Sequence, residues 1–168
     1  PYQRAVSIYR HAIKTAFADI ELEQEMGKTA AGGLSFQEFL DFLGKIDVSH
    51  ADVHMRPQFH PYETVRQPGR YINISKQNLF AELNRFENDI GAAITDFNTL
   101  DWFHNQEEGR KAKQEAMQGD RLDETVFNRH QVRDLEQFPS YQQLLTPEAR
   151  QKIERIYKVD FDAYRDYL

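Results

Sequence analysis

The chain begins with Pro1-Tyr2-Gln3-Arg4-Ala5-Val6-Ser7-Ile8-Tyr9-Arg10. Pro1 suits the first position of a helix, where the N–H group that proline lacks would have no partner in any case. Apolar residues then recur at helical spacing, at Val6, Tyr9, Ile13, Phe17 and Ile20. Ser7 lies off that apolar face, near the helix start, where free backbone N–H groups and the helix dipole favour a phosphate. The segment predicts one helix from Pro1 to about Met26 with an anion site near its beginning.

The composition is that of a soluble globular protein and bounds the function. With 168 residues the chain is long enough for one core, so we expect a single structural unit over residues 1–168. The 12 Phe and 8 Tyr residues predict an aromatic-rich core. A net charge of −6 argues against a general polyanion binder, and we therefore expect no nucleic-acid partner.

The chain has no cysteine, so disulfides and thiolate metal sites are excluded within it. No apolar run approaches the ~20 residues that span a bilayer, so we expect no membrane segment in this chain, while an anchor upstream stays open. The chain starts on Pro inside a motif, which suggests a fragment of a longer protein.

Helix signals dominate the sequence. Ser35 followed by Glu38 predicts a capping box in front of a short helix. Thr146 and Pro147 predict the start of the last helix, whose apolar stripe is Ile153, Ile156, Tyr157, Phe161 and Tyr164. Between them, the alternation in Tyr71-Ile72-Asn73-Ile74-Ser75 predicts a short strand, and Ser75 is a candidate cap for the helix that follows. We expect a mostly α-helical chain with one or two short strands.

Two other segments lack a sustained period. Residues 48–70 contain several prolines and predict a loop-rich connection. Residues 104–137 are charged and rich in Gln, which predicts a mobile loop region of the kind that often contacts substrate.

Several short motifs, in order, resemble one family. The first run resembles the 3′-phosphate-binding motif of carbohydrate sulfotransferases, the Golgi-type enzymes and their bacterial relatives. The matching residues of this chain are Pro1, Tyr2, Arg4, Ala5, Val6, Ser7 and Tyr9. The family's leading Arg would precede residue 1. Further matches are Leu34–Leu40, His54-Met55-Arg56-Pro57-Gln58, Asn128-Arg129-His130, and the closing run from Leu145 through Tyr157, Asp160 and Phe161 to Tyr164.

This resemblance implies the C-terminal portion of an α/β fold of the P-loop type. It implies an enzyme that moves a sulfuryl group from 3′-phosphoadenosine 5′-phosphosulfate (PAPS) to a carbohydrate hydroxyl. The chain contains no G-x-x-x-x-G-K-[ST] loop to hold the 5′-phosphosulfate. Golgi members usually carry several cysteines, so their absence here indicates a cytoplasmic, bacterial relative.

The resemblance also implies site residues. Ser7 would contact the 3′-phosphate, with Arg4 near the same end of the helix. Arg129 and Arg133 precede the last helix, where relatives place a loop over the nucleotide, so either is a candidate for the 3′-phosphate or adenine. For Arg4, Arg129 and Arg133 the ordinary alternative is a solvated or ion-paired surface charge.

His54, Arg56 and Gln58 alternate along the chain, so an extended backbone would turn all three to one side. They are candidates for acceptor binding, with His54 also a weak candidate for a catalytic acid or base. A plain surface loop is the equal alternative. His50 and His54 stand four residues apart, but no third ligand is evident, and we predict no metal.

A second reading belongs to another class of protein. The chain could be a noncatalytic helical interaction domain whose aromatic stripes pack on a partner. That reading predicts no basic cleft near Ser7, whereas the transferase reading requires one.

Overall fold

A computed structural model of the chain describes residues 1–66, 71–72, 78–99, 117–134 and 138–167. Within these ranges, strand-like pairing is limited to an isolated antiparallel bridge between Leu34 and Phe127. The prediction of a mostly helical chain is confirmed. Contacts divide the chain into two compact units, residues 1–60 with 115–163 and residues 61–114 with 164–168. That residues 1–168 serve as one part of a sulfotransferase domain stays a prediction.

The helices of the first unit precede and follow those of the second along the chain. In chain order they are α1 (Tyr2–Thr15), α2 (Asp19–Met26), α3 (Phe36–Lys45), α4 (Tyr62–Val65), α5 (Leu79–Asp89), α6 (Arg129–Asp134), α7 (Tyr141–Leu144), α8 (Pro147–Ile156) and α9 (Lys158–Ala163), with 3₁₀ turns at Phe97–Thr99 and Arg165–Tyr167. Of these, α4, α5 and the two 3₁₀ turns belong to the second unit.

The core of the first unit is rich in aromatic side chains, as predicted. Tyr9 of α1 packs its ring 5.2 Å from that of Phe36 and 5.7 Å from that of Phe39 on α3. Its hydroxyl donates to the carbonyl oxygen of Leu34 at 2.7 Å, which satisfies the buried phenol. Burial raises the pKa of Tyr9, so the phenol stays neutral.

Both predicted helix caps are confirmed. Ser35 and Glu38 form a reciprocal capping box at the start of α3. Thr146 accepts from the backbone N–H of Ala149, and Pro147 occupies the first turn of α8.

Two predicted long helices are each broken in the structure. The helix expected from Pro1 to about Met26 ends at Thr15, because Ala16 adopts a left-handed conformation with φ 58°. The turn changes which face is buried: Ile20 is 72% exposed, whereas Leu22 is fully buried. The last helix likewise ends at Ile156, and α9 starts anew at Lys158 after Tyr157.

The described part of the segment 104–137 contains buried residues, and the mobility expected of this segment stays a prediction. Phe127 pairs with Leu34 through backbone bonds of 3.0 and 3.1 Å, and its side chain joins the core. Gly33 precedes this bridge with φ 126°, and a Cβ atom there would lie 2.8 Å from Val126 Cγ1, so a side chain is excluded. Residues 104–116 and 135–137 lie outside the described ranges, where the expected mobility stays a prediction.

Asp123 ties this segment to two helices. Its carboxylate is fully buried and accepts from Gln37 Nε2 at 2.7 Å, Thr146 Oγ1 at 3.0 Å and Arg121 Nε at 3.3 Å. Burial by itself raises the pKa of Asp123, but these three donors outweigh burial and lower it.

We expect Asp123→Asn to lower the free energy of unfolding by about 2 kcal/mol at pH 7, because a buried charged acceptor is lost. A carboxylate with a lowered folded pKa stabilises the protein above its unfolded pKa of about 3.9, and that stability is lost as the pH falls through the folded pKa. The difference in the free energy of unfolding between wild type and variant, measured with urea, should therefore become smaller below pH 4. Asp41→Asn is the control, since it removes only a surface pair with Lys152. A difference that is constant between pH 6 and pH 3 would contradict this role.

The second unit contains the region of the predicted strand. Residues 71–72 form no strand, and residues 73–75, with the candidate cap Ser75, lie outside the described ranges. Asn78 caps α5 instead, accepting from the N–H groups of Phe80 and Ala81. Glu63 accepts hydrogen bonds from the hydroxyl groups of Tyr71 at 2.8 Å and Tyr164 at 2.9 Å.

Candidate functional site

One side of α1 faces a cavity of the first unit. Arg4, Ser7, Ile8 and His11 are spaced three or four residues apart, which places them on one helix face. Val53 and His54, on the loop that follows α3, complete the lining. The cavity has a volume of about 500 Å³ and is open to solvent. The fold thus brings together three predicted site residues, Arg4, Ser7 and His54.

Ser7 is solvent-exposed within this cavity, and its hydroxyl has no hydrogen-bond partner among the described residues. Its position differs in one respect from the expectation. Because α1 begins at Tyr2 and the N–H of Ala5 already bonds to Pro1, the free N–H groups lie before Ser7. The cavity therefore runs along the side of α1, and its positive charge comes from a side chain.

Arg4 supplies that charge. One guanidinium nitrogen, Nη2, donates to the carbonyl oxygen of His54 at 3.3 Å. The other, Nη1, is buried without a hydrogen-bond partner among the described residues, and no carboxylate pairs with the group there. Among the described residues this half-buried guanidinium is held by one carbonyl and has no carboxylate in direct contact.

His54 is oriented by a hydrogen bond to its ring and by contacts with two other rings. Its Nδ1 atom lies 2.6 Å from Oδ1 of Asp52, which also accepts from the backbone N–H of His54 at 2.9 Å. These hydrogen bonds lower the pKa of Asp52 and keep it ionised. The ring centroid lies 4.6 Å from that of His11 and 4.9 Å from that of Phe17. With Nδ1 held by Asp52, Nε2 is the atom that is available to a ligand.

The loop that carries His54 is fixed by the C-terminal helices. Tyr157 donates its hydroxyl to the carbonyl of Met55 at 2.9 Å. Asp160, which is fully buried, accepts from the backbone N–H of Gln58 at 3.0 Å and of Phe59 at 2.8 Å. The sequence indicated that Asp160 needs a buried partner, and two loop amides fill that role.

Arg56 and Gln58 are exposed and do not line the cavity. Arg56 folds back along its own loop, with Nε donating to the carbonyl of Ala51 at 2.8 Å. The expected convergence of these two residues with His54 in one cleft is therefore not found in this structure.

Arg129 lies at the other end of α1. Its Nε donates to the carbonyl of Ile13 at 3.3 Å, and its Nη2 atom is buried without a hydrogen-bond partner among the described residues. It does not line the cavity. Arg133 belongs to α6, and its side chain lies outside the part of the chain that the structure describes.

Sequence reasoning missed His11. The signal was available, since His11 follows Ser7 by four residues and Arg4 by seven, which is the spacing of one helix face. The sequence does not single it out, because a His at the edge of an amphipathic helix has no distinguishing pattern of its own.

The described residues contain neither a cluster of metal ligands nor a membrane-spanning helix. No group of three or more His, Cys, Asp or Glu side chains there is placed to hold a metal ion. No helix in the same ranges has the length and apolarity needed to cross a membrane.

Comparison with known proteins identifies the family. A family model described as "Sulfotransferase family" matches residues 1–167, nearly the whole chain. No curated protein and no solved structure matches this chain. The motif around Ser7, the cavity beside it and this match over almost the full length agree. The chain belongs to the sulfotransferase family.

Proposed function

We propose that the intact protein transfers a sulfuryl group from PAPS to a carbohydrate hydroxyl, and that this chain holds the 3′-phosphate of the nucleotide at Ser7 and Arg4. The observation that carries the proposal is that Arg4, whose guanidinium has no carboxylate partner among the described residues, lies in one cavity with the exposed hydroxyl of Ser7. PAPS would supply the activated sulfuryl group, and Ser7 and Arg4 would bind its 3′-phosphate.

The two side chains suit a phosphate ester. Residues three apart on a helix have Cβ atoms about 5–6 Å apart, a distance that one phosphate group can bridge. Ser7 can donate one O–H, and Arg4, which lines the same cavity, brings a guanidinium that the His54 carbonyl holds through Nη2. Both hydrogen bonds to the phosphate would be charge-assisted, but only Arg4 also brings a positive charge, so Arg4 should contribute more than Ser7.

The remaining candidates surround this centre. We assign His54, Arg56 and Gln58 to acceptor binding, because they lie on one loop whose backbone is fixed by Tyr157 and Asp160. Of these three residues, Arg56 suits an anionic group of the sugar. Arg129 and Arg133 are proposed as further contacts to the nucleotide, on the strength of the family resemblance and of the unpartnered Nη2 of Arg129.

The competing hypothesis, a noncatalytic helical interaction domain, predicts no basic cleft near Ser7. Arg4 lies in the cavity with Ser7. This placement favours a site for an anionic ligand over a surface that only packs against a partner.

Ser7→Ala in the intact protein is expected to weaken binding of 3′-phosphoadenosine 5′-phosphate about tenfold, since a hydrogen bond to a charged group contributes about 1.5 kcal/mol or more. Isothermal titration calorimetry measures this affinity directly. Ser49→Ala is the matched control, because Ser49 is exposed and lies outside the cavity. Equal affinity in the Ser7 variant and wild type would overturn the assignment of Ser7, and failure of the wild-type protein to bind the nucleotide would overturn the proposed function.

A further inference from the structure

Two imidazole rings share the cavity with Arg4 and Ser7. His11 and His54 have ring centroids 4.6 Å apart, and Phe17 packs against both, at 5.2 Å from His11 and 4.9 Å from His54. His11 follows Ser7 by one helical turn, so its ring and the Ser7 hydroxyl border the same space.

The hydrogen-bonding capacity of these rings is mostly unused. Asp52 occupies Nδ1 of His54 at 2.6 Å. Among the described residues, the Nε2 atom of His54 and both ring nitrogens of His11 have no hydrogen-bond partner. Each of these atoms can donate to an anion once it carries a proton.

We propose that His11 is a further ligand of the 3′-phosphate, and that binding of the ester is coupled to uptake of a proton by the His11–His54 pair. The inference rests on the proposed function, because it concerns the same anion in the same cavity. The proton comes from solvent, is added to a ring nitrogen, and is then donated in a hydrogen bond to a phosphate oxygen.

The charges around the pair explain the coupling. The groups that face it are Arg4 on α1 and Asp52 on the loop, with Arg56 next to Asp52. The α1–α2 turn contributes the uncharged ring of Phe17, and Lys14, one turn beyond His11, is exposed. With neutral imidazoles the charges of Arg4 and Asp52 cancel, whereas a phosphate monoester brings a charge of about −1.5 to −2. One added proton offsets part of that negative charge, and an unpaired imidazole nitrogen can carry it.

Proton uptake can be counted by calorimetry. We expect binding of 3′-phosphoadenosine 5′-phosphate to the intact protein at pH 7 to take up a large fraction of one proton, measured in buffers of different ionisation enthalpy. His11→Gln should bind about five- to tenfold more weakly and take up less than half as much. The phosphate's own ionisation is the same for both proteins, so the difference between them isolates the imidazoles.

Two further variants sharpen the test. His11→Arg supplies a permanent charge and should restore affinity without restoring proton uptake. His50→Gln is the matched control, because His50 also pairs its Nδ1 with an aspartate, Asp47 at 2.8 Å, but lies outside the cavity. It should behave like wild type.

The outcomes separate the two proposals. Wild-type binding with the same affinity and the same proton uptake in His11→Gln would overturn the role of His11 and leave the proposed function standing. Absence of nucleotide binding by the wild-type protein would overturn both.

Discussion

Asp160→Asn is expected to lower the free energy of unfolding by about 3 kcal/mol, because one of two buried backbone N–H groups would face a donor instead of an acceptor. In the native protein the two carboxylate oxygens of Asp160 accept separately from Gln58 and Phe59. Asparagine has a single acceptor oxygen, so its amide nitrogen would oppose the second loop amide. Urea unfolding measures the loss.

The same substitution should release the loop locally. Hydrogen exchange at the amides of Gln58 and Phe59 is expected to accelerate more than exchange in α1 and α3, since only the loop loses its acceptor. Asp162→Asn is the control on the same helix, because its carboxylate is exposed and pairs with Lys158 at the surface. It should cost less than 1 kcal/mol. If the two variants were equally stable, Asp160 would not fix the loop.

Features set by neighbouring residues could be predicted from the sequence. The capping box of Ser35 and Glu38 and the cap at Thr146 depend on atoms within three residues, and both are found as predicted. The same holds for the helical character of the chain.

Features set by tertiary packing could not be predicted. Nothing in the sequence around Ala16 marks a helix break, because residues 14–19 contain neither Gly nor Pro. A left-handed alanine is unfavourable by itself, and the turn is retained with Leu22 buried in the core of the first unit. The cap of α5 is a local feature, but the predicted residue, Ser75, lies three residues before the observed cap, Asn78, because Ser and Asn are both favoured N-caps.

The site shows the same division. The family resemblance made Ser7 a candidate, the position near the helix start added Arg4, and the alternation of residues 54, 56 and 58 added His54. The cavity itself joins α1 to a loop more than forty residues later, so its full lining is a property of the fold. The alternation of His54, Arg56 and Gln58 predicted one shared direction, but the loop is bent by Tyr157 and Asp160 and does not run as an extended strand.

Arg4→Met in the intact protein should weaken binding of 3′-phosphoadenosine 5′-phosphate about a hundredfold, because removing one partner of a close charge pair costs about 2–5 kcal/mol. Methionine keeps much of the aliphatic stem, so the packing against the loop is largely preserved. The control is Arg10→Met, an arginine on the same helix that lies over the ring of Phe138 outside the cavity. Its affinity should equal that of wild type.

The stability of Arg4→Met separates a binding group from a structural one. The variant loses the hydrogen bond to the His54 carbonyl at 3.3 Å, but it also removes a buried nitrogen that has no partner in the described structure. These effects oppose each other, so the free energy of unfolding should change by less than about 1 kcal/mol. Loss of nucleotide binding at nearly unchanged stability is the signature of a residue retained for its ligand. A loss of several kcal/mol with unchanged affinity would instead make Arg4 part of the scaffold that holds His54.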